Sequence, residues 1–550
     1  MKQILFSFFL LIFLIGFPAK AQNNCQVSDP NIKMGISQVG KIDWAKYPDF
    51  TLPFSIIYSG PRFNDFQRLP LKKGFTHLNT FSGDDYTKLP LKNRALLWYS
   101  VANLLPNSNW TDIESPWGND LPEIKRRWQA DIKGYTGFFE DSQNVNFPKV
   151  DIWVPDIEKL KATDLGILSL KANPRTPMAY RNLSDVNFLK QYKNDMQRLY
   201  IEAINFSRNL DVSQNAKISS YSDVPIRTNF LNIDANTWQD WSSNPNRLAY
   251  INRDTINTNK VGGFESKLDF LTPSAYFYYD INHPFGPLYL SQLLFQIEAN
   301  RAWSNKDVIV FEWMRYHPCC GPYPKQIETY MAEAGAIFPF FSGAKGIWLW
   351  EEGAYLNPTK EILTSYDAFI YGLYRLSKYK SYFEGNYKLY IPKSGRDHYA
   401  DKDAIWRGVV KDGKILIAAT NPFQDLGKKS TIILNYGNWK QSIELSGKDV
   451  FLCEFDLPTT QIPFAQCSVF PNPSSDKIFV NIKPTQKTDI NIQLFDMLGN
   501  QLFNQNNLQI SEDFITQIDL DNLSCGLYVV KISDLQSGYS QTKKIVYSKK

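Results

Sequence analysis

Acidic side chains follow apolar runs at three places in this 550-residue chain. They end the stretches DIWVPDIE, VIVFE and GIWLWEE, and they are Asp156, Glu158, Glu312, Glu351 and Glu352. A carboxylate is costly to bury beside strand-forming residues unless it is paired or hydrogen-bonded. Each of these acids therefore either lies at a solvated strand end or is kept there for chemistry.

Two carboxylates on either side of a glycosidic bond can divide the work of breaking it. One carboxylic acid protonates the leaving oxygen, and the second carboxylate attacks the anomeric carbon or activates a water. A separation of about 5 Å between the carboxyl groups gives retention of configuration, and roughly 6.5–9.5 Å gives inversion. Aromatic residues, which form 15% of the chain, suit a protein that stacks on the flat faces of sugar rings.

Strand-like runs alternate with helical periodicity between residue 22 and about residue 458. The candidate strands are 33–39, 53–60, 75–81, 149–158, 216–224, 268–279, 307–314 and 346–353, and the candidate helices are 121–135, 185–209, 288–303, 323–338 and 360–378. Alternation of this kind predicts a parallel sheet of the α/β class. Eight units over residues 22–382 predict a (β/α)₈ TIM barrel, with a doubly wound sheet as the alternative.

The carboxyl ends of the barrel strands form the active-site face of this fold. Residues two apart on a strand share a face. This alternation groups Ile152, Val154, Asp156 and Glu158 on the fourth predicted strand, Val308, Val310 and Glu312 on the seventh, and Trp348, Trp350 and Glu352 on the eighth. We therefore predict that Glu158 and Glu312 lie across the mouth of the barrel from each other.

This arrangement resembles the clan of retaining (β/α)₈ glycosidases, whose acid/base glutamate ends strand four and whose nucleophile glutamate ends strand seven. The resemblance implies that Glu158 is the acid/base and that Glu312 is the nucleophile. The chain departs from the clan at Ile157, where an asparagine usually precedes the acid/base. The predicted substrate-binding residues around this pair are Tyr276, Tyr278, Trp313, His317, Trp348, Trp350 and Glu352.

The stretch DIWVPDIE also resembles the D-x-x-D-x-D-x-E strand of family 18 chitinases. Asp151, Asp156 and Glu158 occupy three of its four acidic positions, and Val154 replaces the remaining aspartate. This second resemblance implies that Glu158 is the acid and that Asp156 orients the N-acetyl group of the substrate. That group would then act as the nucleophile in place of a protein carboxylate.

The chain changes character after residue 382. Apolar residues alternate with period two over 383–458, which predicts an accessory β-sandwich. Residues 459–550 contain VFPNPSSDKIFVNI, LFDMLGN and GLYVVKI, and they predict a small all-β domain. These motifs resemble the C-terminal sorting domain of type IX secretion cargo in the Bacteroidota, which implies the type IX secretion machinery as a partner.

The N-terminal stretch MKQILFSFFLLIFLIGFPAKAQ has the features of a secretory signal peptide. Lys2 precedes a short apolar run, and Ala19-Lys20-Ala21 forms a small-x-small cleavage site. We predict that residues 1–21 are removed and that the mature chain has no transmembrane segment. The protein is then expected to be secreted, either extracellular or attached to the cell surface.

Charge and composition argue against several classes of function. The formal net charge is only +5, from 60 basic and 55 acidic residues that are dispersed, so we predict no nucleic-acid partner. Four scattered histidines and six cysteines give no metal-ligand spacing, and we predict neither a metal nor another cofactor. The adjacent Cys319 and Cys320 are predicted to be loop residues or separate disulfide partners. The chain has no G-x-S-x-G or H-E-x-x-H motif, which disfavours an esterase or a metalloprotease.

These patterns together predict a secreted glycoside hydrolase that acts on an extracellular polysaccharide or glycan. Two alternatives stay open at this point. One is a chitinase-like hydrolase that uses Asp156 and Glu158 in substrate-assisted catalysis, and the other is a non-catalytic secreted carbohydrate-binding protein.

Overall fold

Helices and strands alternate up to residue 377, and strands dominate from residue 388 onward. The computed structural model describes residues 39–61, 68–79, 89–102, 115–135, 149–160, 163–210, 215–227, 233–254, 256–352, 360–458, 464–536 and 538–549. The strands are β1 (Ser55–Tyr58), β2 (His77–Asn79), β3 (Arg94–Trp98), β4 (Ile152–Pro155), β5 (Lys217–Ile218), β6 (Ile309–Trp313), β7 (Gly346–Trp350), β8 (Lys388–Tyr390), β9 (Ile405–Lys411), β10 (Lys414–Thr420), β11 (Lys429–Tyr436), β12 (Trp439–Ser446), β13 (Phe451–Asp456), β14 (Ala465–Phe470), β15 (Lys477–Pro484), β16 (Thr488–Asp496), β17 (Gln501–Ile510), β18 (Phe514–Asp519), β19 (Gly526–Asp534) and β20 (Ser540–Tyr547). The helices are α1 (Leu121–Tyr135), α2 (Asp164–Leu168), α3 (Met178–Arg181), α4 (Asp185–Arg208), α5 (Trp238–Ser243), α6 (Tyr289–Trp303), α7 (Thr329–Phe341), α8 (Thr364–Ser377) and α9 (Gly395–Asp401).

The first seven strands form one parallel sheet in the order β5-β4-β3-β2-β1-β7-β6. A short extended segment lies between the two edge strands of this sheet. Parallel bridges join Thr272 to Tyr221, just beyond β5, and Leu271 to Val308, just before β6. The sheet is therefore curled, and its two edges approach the same segment.

Both faces of the curled sheet are apolar. Alternate strand residues pack together on the concave side, and they include Ile57, Ala95, Leu97, Ile152, Val154, Ile309, Phe311 and Trp348. The residues between them, such as Trp153, Val310 and Leu349, belong to the core that contains the helices. Strands that are buried on both faces read as nearly continuous apolar runs, as these do.

The first strands differ from the sequence prediction. The prediction lacks β3, whose Ala-Leu-Leu centre favours a helix by local propensity and becomes a strand through burial on both faces. Conversely, β1 pairs directly with β7, which leaves no position between them for the strand predicted at 33–39. Of that segment only Val39 lies within the described residues, and it makes an isolated antiparallel bridge to Ile362. With β3 included, β4 is the fourth strand of the described sheet along the chain.

α6 has no solvent face over most of its length. Every residue from Tyr289 to Asn300 is buried, and α5, α7 and α9 pack around the helix. α9 approaches so closely that a Cβ on Gly395 would lie 2.5 Å from the backbone nitrogen of Phe295. The absence of a side chain at Gly395 is what allows these two helices to pack together.

Strands β8–β13 form two antiparallel sheets around a shared apolar core. A buried ion pair joins this region to α6, because Arg407 Nη2 on β9 donates to Glu298 Oε1 at 2.9 Å. Ser342 Oγ and the Gly395 backbone nitrogen also donate to the Glu298 carboxylate, each at 2.7 Å. The two-sheet region is thus attached to the helix layer by apolar packing and by a shared polar network.

The remaining strands form a second antiparallel unit with its own core. One sheet has the order β14-β15-β18, and the other has the order β17-β16-β19-β20. Inward-facing residues such as Val480, Ile492, Val530 and Ile545 fill the space between them. Within the described ranges, no helix combines the length and the apolar composition that a membrane span requires.

Candidate active site

Two acids follow β4 at the carboxyl end of the curled sheet. The backbone nitrogen of Asp156 donates to Trp98 O at 2.9 Å, which extends the pairing with β3 by one residue. The Asp156 side chain is half-buried, and Glu158 is exposed. Glu158 has a φ of 48°, in the left-handed region that residues other than glycine rarely occupy. Strain of this kind persists where the surrounding contacts hold it, and it clusters at functional sites.

The segment that follows β5 holds the backbone of Glu158 in place. Asp223, which is fully buried, accepts a hydrogen bond from the backbone nitrogen of Glu158 and another from Ser220 Oγ at 2.7 Å. Ser222, whose φ of 60° is also left-handed, forms a side-chain hydrogen bond with the Glu158 carboxylate. Two strained residues on neighbouring strand ends are therefore joined by hydrogen bonds.

Two carboxyl groups share one guanidinium in this cluster, and the carboxyl group of Asp156 interacts with both of them. Arg227 Nη2 lies 3.9 Å from Glu158 Oε1, and Arg227 Nη1 lies 3.8 Å from Asp223 Oδ1. Burial raises the pKa of Asp156, and the charges of Glu158 and Asp223 raise it further. Burial also raises the pKa of Glu158, against the opposing effect of Arg227, and it raises the pKa of Asp223 to about 7. The cluster therefore retains protons that isolated carboxylic acids would release below neutral pH.

Aromatic rings line the space beside these acids. Tyr276 is central: its ring stacks on Trp350 with centroids 5.7 Å apart and contacts Trp313 edge-on at the same distance. It also stacks on Tyr221 at 6.1 Å, and the two phenol groups are hydrogen-bonded. His317 stacks on Tyr276 at 6.2 Å. The predicted residues Tyr276, Trp313, His317 and Trp350 thus lie together.

The other predicted aromatic residues lie above and below this group. Tyr278 is half-buried, and its ring lies 4.7 Å from that of His317. Trp348 is completely buried in the concave core, where it stacks on Phe311 at 4.9 Å and donates from Nε1 to Ser59 Oγ. Of the two tryptophans proposed as a sugar platform, Trp350 is therefore the one with an accessible edge.

Glu312 lies on the outer face of β6, away from the mouth. Its neighbours Phe311 and Trp313 face the concave side, so the alternation along the strand turns Glu312 toward α7. A Cβ on Gly335 of α7 would lie 2.3 Å from Glu312 Oε2, and the glutamate is fully buried. The predicted position of Glu312 opposite Glu158 is therefore wrong, because the predicted face assignment on this strand is shifted by one residue.

Burial of Glu312 should make the stability of the protein depend on pH. Burial raises the pKa of Glu312 well above its ordinary value of 4.5, and within the described part of the chain neither oxygen has a hydrogen-bond partner. The folded state therefore keeps a proton that the unfolded state releases. Below pH 4.5 the titration of Glu312 does not change the free energy of unfolding. Between pH 4.5 and the pKa of Glu312 in the folded state, this group lowers the free energy of unfolding by about 1.4 kcal/mol per pH unit.

Glu312→Gln, which cannot ionise, is expected to remove this loss of stability. Its free energy of unfolding should exceed that of wild type by an amount that grows as the pH rises from 4.5. Denaturant unfolding at a series of pH values measures the difference, and the other titrating groups cancel between the two proteins. A difference that does not change with pH would contradict the buried, neutral state of Glu312.

The two acids after β7 have different environments. Glu351 is buried and accepts hydrogen bonds from Trp313 Nε1 at 2.9 Å, from Arg315 Nε at 2.7 Å and from the Tyr366 hydroxyl. These partners fix Glu351 as a support for the ring of Trp313. Glu352 is half-buried at the end of the strand.

Sequence reasoning did not select Tyr221, Asp223 or Arg227 as site residues. All three lie at or just after the strand predicted at 216–224. The signal that could have identified them is the position of that strand, which is the neighbour of the strand that carries Glu158. Their roles depend on a turn with a left-handed residue, and the sequence alone does not define that turn.

The C-terminal residues 468–548 match the family of secretion system C-terminal sorting domains. This domain indicates that the protein is secreted or attached to the cell surface. None of the curated protein sequences matches the chain.

Several solved structures resemble the chain at low identity. Bee venom hyaluronidase is 13% identical with a TM-score of 0.37, and the match covers 60% of this chain and 96% of that chain. A glucosidase from Croceicoccus marinus is 10% identical with a TM-score of 0.26, over 86% of this chain and 94% of that chain. β-Glucuronidase 3 of Bacteroides uniformis is 8% identical with a TM-score of 0.27, and the match covers 90% of this chain and 62% of that chain.

Proposed function

We propose that this chain is an exported glycoside hydrolase that cleaves bonds next to 2-acetamido sugars, with Glu158 as the acid. The observation that carries the proposal is the placement of Asp156 and Glu158 side by side at the end of β4. They share a cluster that retains protons, and it adjoins an aromatic-lined mouth. The substrate would stack on Trp350, whose ring the buried Tyr276 supports.

Glu158 is suited to donate a proton to the leaving oxygen. Its side chain is 43% exposed and can reach a bound sugar. Burial of the surrounding cluster raises its pKa, so the protonated form persists to higher pH than in a free glutamic acid. A general acid works best when its pKa lies near the working pH. The positive charge of Arg227 stabilises the Glu158 carboxylate that remains after proton transfer.

Asp156 is placed to act on the substrate beside the acid. In the proposed reaction the acetamido oxygen of the substrate attacks the anomeric carbon while Glu158 protonates the departing oxygen. In its ionised form, after release of the proton that the cluster retains, Asp156 accepts a hydrogen bond from the acetamido N–H and balances the positive charge that develops on that group. Glu158 then removes a proton from the water that opens the cyclic intermediate, which returns the acid to its starting state.

This mechanism needs no second protein carboxylate across the mouth. The alternative, in which Glu312 is the nucleophile, lacks support because the Glu312 carboxylate lies against Gly335 on the helix side of β6. The Glu351 carboxylate accepts hydrogen bonds from Trp313, Arg315, Tyr366 and the backbone nitrogen of Glu352. The half-buried Glu352 is proposed as a substrate contact, together with Tyr278, Trp313 and His317.

We also propose that the sheet closes into a (β/α)₈ barrel over residues 22–382. The extended segment around Leu271 and Thr272 would occupy the sixth strand position, since it forms bridges to both edges of the sheet. Residues 383–458 would then form the accessory β-sandwich, and residues 459–550 would form the C-terminal sorting domain. In this arrangement the acids after β4 lie at the carboxyl end of the barrel, where active sites of this fold lie.

Matched oligosaccharides that differ in the 2-acetamido group test the proposed function. Chitotetraose and cellotetraose share the β-1,4 linkage and differ in that group, and release of reducing ends measures cleavage. We expect cleavage of the acetamido substrate at a rate at least 100-fold above that of its partner. Equal rates would contradict the role given to Asp156. Retardation of the protein by the acetamido polymer without any cleavage would favour a binding protein instead.

A further inference from the structure

Cys319 and Cys320 lie at the tip of a tight loop that follows β6. Both side chains are exposed, and neither is part of a disulfide in the structure. The two residues are adjacent in the sequence, and partial burial together with each of the two thiols raises the pKa of the Tyr279 hydroxyl, so both thiols lie near that side chain. This pair of exposed, adjacent thiols has no role in the proposed hydrolysis.

Hydrogen bonds hold the loop against the aromatic group that contains Tyr276, His317 and Trp350. The backbone nitrogen of His317 donates to Phe277 O at 2.7 Å, and the Cys319 nitrogen donates to His317 Nδ1 at 3.2 Å. The Gly321 nitrogen donates back to His317 O at 3.1 Å, which closes the turn around the two cysteines. The ring of Tyr278 packs on His317, so the thiol pair lies directly behind two proposed substrate contacts.

Export changes the chemistry available to these thiols. The C-terminal sorting domain places the chain outside the cell or on its surface, where disulfides form and persist. Two exposed thiols on adjacent residues of a turn closed by backbone hydrogen bonds need little further ordering before they can be joined. Cys453 is disulfide-bonded, which is consistent with an oxidising destination.

We propose that Cys319 and Cys320 form a vicinal disulfide after export, and that this bond fixes the loop behind His317 and Tyr278. The oxidant is a disulfide, either of a thiol oxidoreductase or of a small molecule such as oxidised glutathione. One cysteine thiolate attacks the oxidant and forms a mixed disulfide, and the second displaces it. Each cysteine gives up one proton, one S–S bond forms in the chain, and the oxidant leaves as its two thiols.

The bond should be easier to reduce than an ordinary structural disulfide. Adjacent Cα atoms are about 3.8 Å apart across a trans peptide bond. Most disulfides join Cα atoms roughly 4.4–6.8 Å apart, and departure from that range strains the bond. A strained, exposed disulfide has a less negative reduction potential. The rim of the mouth would therefore have an oxidised and a reduced form, and mild reductants would convert one into the other.

Peptide mass analysis of the exported protein tests the proposal. The full-length mature protein is collected from the culture and denatured in an alkylating reagent without reductant. Trypsin then releases residues 316–325, which contain both cysteines and no others. We expect this peptide to carry no label and to be two hydrogens lighter than the dithiol. After reduction it should carry two labels. Two labels without reduction, or a link to another cysteine peptide, would overturn the proposal.

The disulfide at Cys453 provides an internal control for the strain. Stepwise additions of dithiothreitol should reduce the Cys319–Cys320 bond at a concentration at least tenfold lower than the Cys453 bond requires. Reduction of Cys453 first would overturn the inference that the vicinal bond is labile. Cys319→Ser and Cys320→Ser each leave one thiol in the peptide, and we expect each variant to take one label without reduction. These readouts do not depend on hydrolytic activity.

Discussion

Glu158→Gln is expected to lower kcat by about 10²–10⁴-fold on the acetamido substrate, with little change in KM. The amide has nearly the shape of the carboxyl group, and it cannot donate a proton to the leaving oxygen. The hydrogen bond from the Glu158 backbone nitrogen to Asp223 does not involve the side chain, so the strained turn should persist. Initial rates of reducing-end release at several substrate concentrations separate the two constants.

Glu312→Gln is the matched control for this experiment. It makes the same chemical change at a glutamate that lies behind the sheet, beside Gly335, and we expect its kcat to stay within about twofold of wild type. Circular dichroism of both variants verifies that they are folded. If a folded Glu312→Gln variant loses activity as severely as Glu158→Gln, the result would support Glu312 as the nucleophile and contradict the substrate-assisted mechanism.

Arg407→Met is expected to lower the free energy of unfolding by about 3–5 kcal/mol. Arg407 and Glu298 are both almost completely buried, and the guanidinium donates two hydrogen bonds to one carboxylate oxygen. Methionine fills similar space without a charge, so the substitution leaves Glu298 as a buried anion without its cation. Denaturant unfolding followed by tryptophan fluorescence measures the change.

The double variant Arg407→Met with Glu298→Gln separates the charge effect from packing. Glutamine is neutral: its amide oxygen can accept from the Gly395 nitrogen in place of Oε2, and its amide nitrogen, in place of Oε1, can donate to Ser342 Oγ. We therefore expect the double variant to recover at least half of the stability that the single variant loses. A double variant as unstable as Arg407→Met would show that lost packing, and not an unpaired charge, causes the destabilisation.

The position of the acids after β4 was predictable because the sequence there distinguishes two faces. Ile152 and Val154 lead to Asp156 by alternation, and the structure places the two apolar residues on the concave side. The run before Glu312 is apolar at every position, so alternation gives no sign of which face is inward. The inward face is set by α7, and in particular by the space that Gly335 leaves. That contact joins distant parts of the chain, so no local pattern reveals it.

The strand count shows a related limit. β3 is a short stretch with helix-favouring residues, and it becomes a strand because its neighbours on both sides supply pairing partners. The cluster around Glu158 likewise depends on a turn at Ser222, which has a left-handed backbone and whose nitrogen donates to Thr272 O, fifty residues further along the chain. Composition and alternation predict which elements exist, whereas the contacts between elements decide which side chains meet.

The burial of α6 has a consequence for the order in which the protein folds during synthesis. The helix is complete by residue 303, yet parts of its covering come from α7 and from α9, which ends at Asp401. A chain that emerges from its amino end therefore carries a largely apolar helix without its full cover for roughly a hundred residues of synthesis. We expect the curled sheet and its helix layer to pack completely only after α7 and α9 have been synthesised.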